Sequence, residues 1–264
     1  MTLCALIDRE KGVATDFSKF HMILCGNPGS WKTMAARIIA QIFKDIGILK
    51  NNTFIECKRS DLVGRYIGAT AIQTRAVAKR AIGGFVFLDE AYTLAPKTRE
   101  SNDYGREAAD ELLVWMNSNV DSTIQNPIFI FAGYEKPMIK DFMALNPRFP
   151  RRLKNVLIFQ DFKAQELASI TKEGLNFKYP HDVDGMLLKC FSSLCSSIVS
   201  KNNGSLCADL IDCFQSVQEE RIGWTFAGHG DLFKITKQDM EMGIKRFLRE
   251  KLTRYGRNTK TWGQ

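Results

Sequence analysis

The apolar run His21–Cys25 (HMILC) stops at Gly26-Asn27-Pro28-Gly29-Ser30-Trp31-Lys32-Thr33, and helical spacing begins directly afterwards. Ile38, Ile39, Ile42, Phe43 and Ile46 recur along one helix face, and Gly47 supplies a stop. A strand, a glycine-containing turn and a helix in direct succession point backbone N–H groups and a helix N-terminus at one spot, an arrangement that suits an anion. A phosphate-cradling loop needs in addition a Lys for the terminal phosphates and a hydroxyl for a divalent cation. Gly26, Gly29, Lys32 and Thr33 meet those demands, and Asn27, Pro28 and Ser30 complete the loop. Trp31 does not meet them. The pattern asks for Gly before the lysine, so a Cβ and an indole there either crowd the phosphate or oppose the loop's backbone conformation.

The alternation continues downstream. Thr53–Cys57, Phe85–Leu88 (FVFL) and Pro127–Ala132 (PIFIFA) read as strands, with helices over Thr70–Ile82 and Glu107–Met116 between them. Short apolar strands alternating with amphipathic helices indicate a parallel sheet covered on both faces. Phe85–Leu88 runs straight into Asp89-Glu90. Two carboxylates at such a strand end, one phosphate loop away, suit support of Mg²⁺ (Asp89) and polarisation of an attacking water (Glu90). Both sites would lie at the C-terminal edge of one sheet, where open α/β folds bind ligands. After about residue 163 the strand signals vanish, and Val183–Val199, Leu206–Glu220 and Gln238–Leu252 read as helices. The predicted organisation is an α/β nucleotide-binding core over residues 1–161 and a small all-helical domain over 162–264.

Composition narrows the function classes. The chain has 264 residues, 45% apolar and 25% charged, which excludes collagen, disorder and a disulfide-stapled miniprotein. Its net charge of +8 is concentrated at one end: from Ile244 onward seven basic residues face one acid, Glu250, and carry most of the excess. There Ile244, Phe247, Leu248 and Leu252 form an apolar stripe, with Lys245, Arg246, Arg249 and Lys251 expected on a basic outer face. A nucleic-acid partner would rest on that tail alone and is not expected. Cysteines stand at 4, 25, 57, 190, 195, 207 and 213, an odd number with no C-x-x-C spacing. Free thiols in a reducing compartment are the expectation. The N-terminal MTLCALIDREKG lacks the apolar core of a signal peptide, and no stretch approaches eighteen apolar residues, so no membrane partner is expected. The expected location is the cytoplasm, with plastid and nucleus left open. His21, His181 and His229 are scattered and read as structural.

GNPGSWKT, RSDLVGRYIGATAIQTR, FVFLDEAYTLA, DYGREAADELL, FAGYEKPM and NPRFPRRL follow one another in the order found in the CbbX/CfxQ branch of AAA+ ATPases. The chain resembles that branch, which includes red-type Rubisco activases and relatives of stage V sporulation protein K. The resemblance runs from about Ala5 to Asp161, and more weakly to about Met240. It implies a P-loop NTPase (AAA+) parallel-sheet domain followed by a helical lid. It further implies ATP and Mg²⁺ as ligands, with Thr33 and Asp89 on the metal and Glu90 activating water. Arg152 matches the arginine finger that reaches a neighbouring subunit's nucleotide, with Arg148 and Arg151 close enough to compete for the role. Tyr134 falls in the sensor 1 region. Tyr66-Ile67-Gly68 matches the pore loop that grips a polypeptide, for which an exposed aromatic supplies sequence-tolerant contact. The implied partners are further copies or related AAA+ subunits in a hexameric ring, and a protein substrate remodelled through its pore.

Three departures stand against full activity. Trp31 is the first. The stretch that matches the arginine-bearing sensor 2, Asn203–Phe214, contains no Arg. Only 25 residues precede Gly26, and they match just the later part of a region that helps enclose the adenine. An alternative therefore stands beside the ATPase: a hydrolysis-impaired AAA+ subunit acting as scaffold or regulator in a mixed ring.

Overall fold

A computed structural model describes residues 17–49, 51, 53–66, 68–96, 104–117, 126–175, 179–224 and 234–255. The chain divides into two compact units. One comprises Met1–Gly26 and Trp31–Phe159; the other comprises Asn27–Ser30 and Gln160–Gln264.

In the first unit, β1 (Met22–Gly26), β2 (Phe54–Cys57), β3 (Phe85–Leu88), β4 (Ile128–Gly133) and β5 (Asn155–Phe159) form one sheet in the order β2-β3-β4-β1-β5. Every pairing is parallel, with Met22 opposite Ile130 and Asn155, and Phe85 opposite Phe54 and Ile128. Successive strand residues serve opposite faces. Val86, Leu88, Phe129, Phe131, Ile23 and Cys25 enter one core, and Phe85, Phe87, Ile128, Ile130, Met22 and Leu24 the other. The first core is closed by α2 (Ala69–Arg80) and α3 (Gly105–Trp115), and the second by α1 (Lys32–Asp45) through Ala36, Ala40, Ile39 and Phe43. Two covered faces explain why FVFL and PIFIFA are apolar without interruption.

His21 fastens the base of this sheet. Its Nδ1 accepts from the Phe129 N–H at 3.0 Å and its Nε2 meets the Met116 carbonyl at 3.2 Å, so the ring is neutral with the proton on Nε2. Strand β5 lay outside the sequence reading. It is an edge strand whose Val156, Leu157 and Ile158 stay 42–49% exposed, so its apolar run follows no core periodicity.

The second unit holds α4 (Ala164–Gly174), α5 (Val183–Ser192), α6 (Ser196–Asn202), α7 (Ser205–Trp224) and α8 (Lys237–Tyr255) around a core that includes Leu187, Phe191, Leu206, Leu210, Phe214 and Phe247. The predicted single helix Val183–Val199 is two helices bent by 104°. The first ends where the Ser193 hydroxyl donates to the Cys190 carbonyl at 2.6 Å, and Cys195 is extended before α6 begins. No single helix among the described residues is long and apolar enough to cross a membrane. The stripe Ile244, Phe247, Leu248 and Leu252 does face the core. The expected basic face differs from the prediction: Lys251 is buried, paired with Asp209 of α7 and lying over the Phe247 ring. Arg246 donates to Ser216 and Glu220 of α7 at 2.9 Å each. Thus Arg246 and Lys251 serve helix pairing, while Lys245 and Arg249 are exposed as expected. Six described cysteines are free thiols; Cys195 alone of these is exposed.

Candidate functional site

The phosphate loop connects β1 to α1. Its turn is closed by the Ser30 hydroxyl donating to the Asn27 carbonyl at 2.7 Å, with the Ser30 N–H on the same oxygen at 3.3 Å. Gly29 and Trp31 both adopt left-handed backbone, with φ of 69° and 59°. Alternation into and out of that region curls successive peptides into a concave anion nest. Gly29 suits its place twice over, because a Cβ there would come within 2.1 Å of the Asn202 carbonyl oxygen. Trp31 holds the conformation that the pattern reserves for glycine, so the strain expected from the sequence is present. Its indole is 46% exposed.

Lys32, the first residue of α1, folds its ammonium back onto the Gly26 carbonyl at 2.9 Å. Burial lowers its pKa from the ordinary lysine value, opposed by the Asp89 and Glu90 carboxylates. Strands β1 and β3 run parallel with only β4 between them, so the loop lysine and the two strand-end carboxylates follow the same edge of the sheet. An arriving polyanion would favour the charged ammonium further.

Asp89 and Glu90 follow β3 directly. The Asp89 N–H continues the ladder onto the Cys57 carbonyl at 3.0 Å, and the Asp89 carboxylate accepts from the Glu90 N–H at 3.0 Å. Glu90 takes φ 49°, a second left-handed non-glycine residue, pinned by the Thr93 hydroxyl on its carbonyl at 2.7 Å. That reversal leaves Glu90 exposed while Asp89 is half-buried. A cavity of about 180 Å³ beside them is lined by Thr33, Glu56, Cys57, Lys58, Asp61, Phe87 and Asp89. Glu56 lies in β2 and Lys58 and Asp61 follow it; none of the three was singled out in the sequence as a site residue.

Thr33 and Asp89 thus line one cavity, and this chemistry fits Mg²⁺. A hard cation that keeps several waters takes one hydroxyl and one carboxylate beside the phosphates, in place of a full protein cage. Correspondingly, no group of three His, Cys, Asp or Glu among the described residues could hold a metal by itself.

Strand β4 lies between β1 and β3, so Tyr134, directly after it, emerges between the loop and the carboxylates. Its ring sits 5.7 Å from that of Tyr92, whose hydroxyl is pushed up to about 12 by burial and the nearby Glu90 charge. Tyr66 is 77% exposed in a turn closed by the Ala69 N–H on its carbonyl at 3.1 Å. Gly68 has φ 80° with open space at its Cβ position, and Ile67 lies outside the described residues. Arg152 ends the short helical turn Phe149–Arg152 and is half-buried, while Arg148 and Arg151 are exposed.

Residues Asn27–Ser30 cluster with the helical unit, and a polar hub explains why. Asp161 Oδ1 accepts from Asn27 Nδ2 and from Asn203 Nδ2, both at 2.9 Å, and its Oδ2 accepts from the Ser200 hydroxyl. Asn203 Nδ2 also reaches the Pro28 carbonyl at 3.1 Å, and the Gly204 N–H donates to the Gly29 carbonyl at 3.0 Å. Burial raises the Asp161 carboxyl's pKa, but the hydrogen bonds from Ser200, Asn27 and Asn203 outweigh it and hold it below the usual aspartate value. Asn203 was visible in the sequence only as the start of a stretch lacking an arginine.

Comparison with known proteins agrees with this geometry. Residues 22–157 match the model of the ATPase family associated with various cellular activities (AAA). The chain is 38% identical over 163 residues to stage V sporulation protein K of Bacillus subtilis, covering 62% of this chain and 48% of that one. It is 39% identical over 170 residues to the chloroplastic ribulose bisphosphate carboxylase/oxygenase activase of Cyanidioschyzon merolae, covering 63% and 56%. With protein CbbX of Cereibacter sphaeroides it shares 38% identity over 168 residues, covering 62% and 52%. The chain spans about half the length of these curated relatives. A parallel sheet carrying a phosphate loop, a strand-end Asp-Glu pair and this match over more than half its length place the chain in the AAA family of ATPases, with the CbbX/CfxQ proteins among its relatives.

Proposed function

We propose that the protein binds ATP with Mg²⁺ at the Gly26–Thr33 loop and hydrolyses it within a ring of like or related subunits, remodelling a protein substrate. The observation that carries this reading is that Lys32 and the pair Asp89-Glu90 follow strands at the C-terminal edge of one parallel sheet, with Thr33 and Asp89 lining one cavity. Lys32 would release the Gly26 carbonyl and take up terminal phosphate oxygens. Thr33 and Asp89 would hold the cation, which supplies charge neutralisation at those oxygens. Glu90, exposed and already turned by its backbone, would orient a water for in-line attack and accept its proton. Tyr134 would contact the phosphate region between them. Arg152 would act on a neighbour's nucleotide, making turnover depend on assembly. Tyr66, with Ile67 and Gly68, would meet the polypeptide.

A second reading is favoured by Trp31. A residue with a Cβ at φ 59° costs on the order of 1 kcal/mol and narrows the loop's freedom to adjust around phosphate. On this reading the chain binds nucleotide but hydrolyses it poorly, serving as scaffold or regulator. Steady-state ATP hydrolysis by the wild type beside Glu90→Gln separates the two. The ATPase reading expects turnover that falls at least about a hundredfold in the variant, the scale of losing a positioned base. Equal, background rates in both would leave the scaffold reading standing.

A further inference from the structure

The hub at Asp161 has a consequence for the loop's chemistry. All described peptides are trans, so each C=O and the N–H of the same peptide point in opposite directions. Holding a carbonyl therefore aims an amide. Asn203 Nδ2 engages the Pro28 carbonyl, which turns the Gly29 N–H the other way. The Gly204 N–H engages the Gly29 carbonyl, which turns the Ser30 N–H likewise, onto the Asn27 carbonyl that closes the turn. Two consecutive peptide planes of the phosphate loop are set by neighbouring residues of one connection, that between α6 and α7.

Asn203 is itself over-determined. It is fully buried, and its backbone has φ 46° and ψ −124°, a region that L residues seldom occupy. Its Oδ1 accepts from the Phe162 N–H at 3.0 Å, which fixes the amide orientation and leaves Nδ2 for Pro28, Asp161 and the Ser200 carbonyl. Asp161 holds Asn27 and Asn203 through one oxygen and Ser200 through the other. Strain of this kind persists only where the surroundings enforce it.

We propose that Asn203, braced by Asp161, is a positioning residue for the phosphate loop: it holds the loop's carbonyls so that the turn is shaped and the Gly29 amide aimed before the nucleotide arrives. The inference rests on the nucleotide reading above, but its structural half can be tested without nucleotide. It also assigns work to the stretch that lacks the sensor arginine. Here that stretch acts on the loop's backbone.

The test follows the 264-residue chain by two readouts: hydrogen exchange of the peptide covering residues 26–33 without nucleotide, and affinity for Mg²⁺-ADP. Asn203→Gly removes the amide while suiting the left-handed backbone, so it avoids the strain an alanine would retain. It is expected to speed exchange of the loop and to weaken ADP binding about tenfold, the scale of one or two lost hydrogen bonds. Asp161→Ala should do the same. Asp161→Asn should fall between wild type and Asp161→Ala, because one oxygen remains for Asn27 and Asn203 and the Ser200 hydroxyl can turn to accept, while the charge that strengthens these bonds is gone. A folded Asn203→Gly protein with wild-type loop exchange, or with faster exchange but unchanged ADP affinity, would overturn the proposal. Faster loop exchange in the variant, with no ADP binding by the wild type, would count against the nucleotide reading and leave the loop restraint standing.

Discussion

Two side chains carry most of the functional tension. Trp31 occupies left-handed backbone at φ 59° with its indole half-exposed, so its removal gives up little burial and relieves a steric cost. Trp31→Gly is expected to tighten ADP binding about five- to tenfold, the equivalent of roughly 1 kcal/mol. Trp31→Ala should give no such gain, since any Cβ keeps the penalty; a fluorescent-nucleotide titration of the three proteins checks this. Asp161 carries a pH dependence. Its folded-state pKa lies below the ordinary value of 3.8, so its contribution is fully present above that value and is lost as pH falls through the lower folded value. Exchange of the loop amides, corrected for intrinsic rate, should be flat from neutral pH to about 5 and rise below about 4. In Asp161→Asn that rise should be blunted.

At the scale of elements, the sequence exposed what burial dictates and concealed what pairing dictates. Strands β1, β3 and β4 were legible because both sheet faces are covered, which demands uninterrupted apolar residues. Strand β5 was not, because an edge strand need obey no such rule. The loop with Lys32 and Thr33, and the pair Asp89-Glu90, were legible because phosphate and cation chemistry restricts residue type at fixed spacing. The Asp161–Asn203 hub was not, since an aspartate and an asparagine 42 positions apart carry no spacing signal until the chain folds. At Arg246 and Lys251 the basic stripe of α8 misled for a similar reason: charge in a sequence does not show its partner. Lys251 is buried against Asp209, and removing the carboxylate strands an ammonium there. Asp209→Ala should cost about 1–2 kcal/mol, discounted for the half-exposed aspartate, and lower Tm by several degrees. Lys251→Met should recover most of that loss in the double variant; thermal melts of the four proteins make the comparison.

For the whole molecule, family membership brings ring assembly as a proposal that has its own test. If Arg152 serves a neighbour's site, the rate of ATP hydrolysis per subunit should climb with protein concentration. Arg152→Ala should then lower it by about a thousandfold or more at concentrations where assembly, followed by light scattering, is unchanged. Rates independent of concentration would argue for a self-sufficient subunit. All of this depends on the Gly26–Thr33 loop being a nucleotide site, which calorimetric titration of Mg²⁺-ATP into the wild type and into Lys32→Ala tests most directly. Saturable binding by the wild type at one site per chain, weakened at least about a hundredfold by loss of the ammonium, is the expected result. Absence of binding by the folded wild type, or equal binding by both proteins, would contradict it.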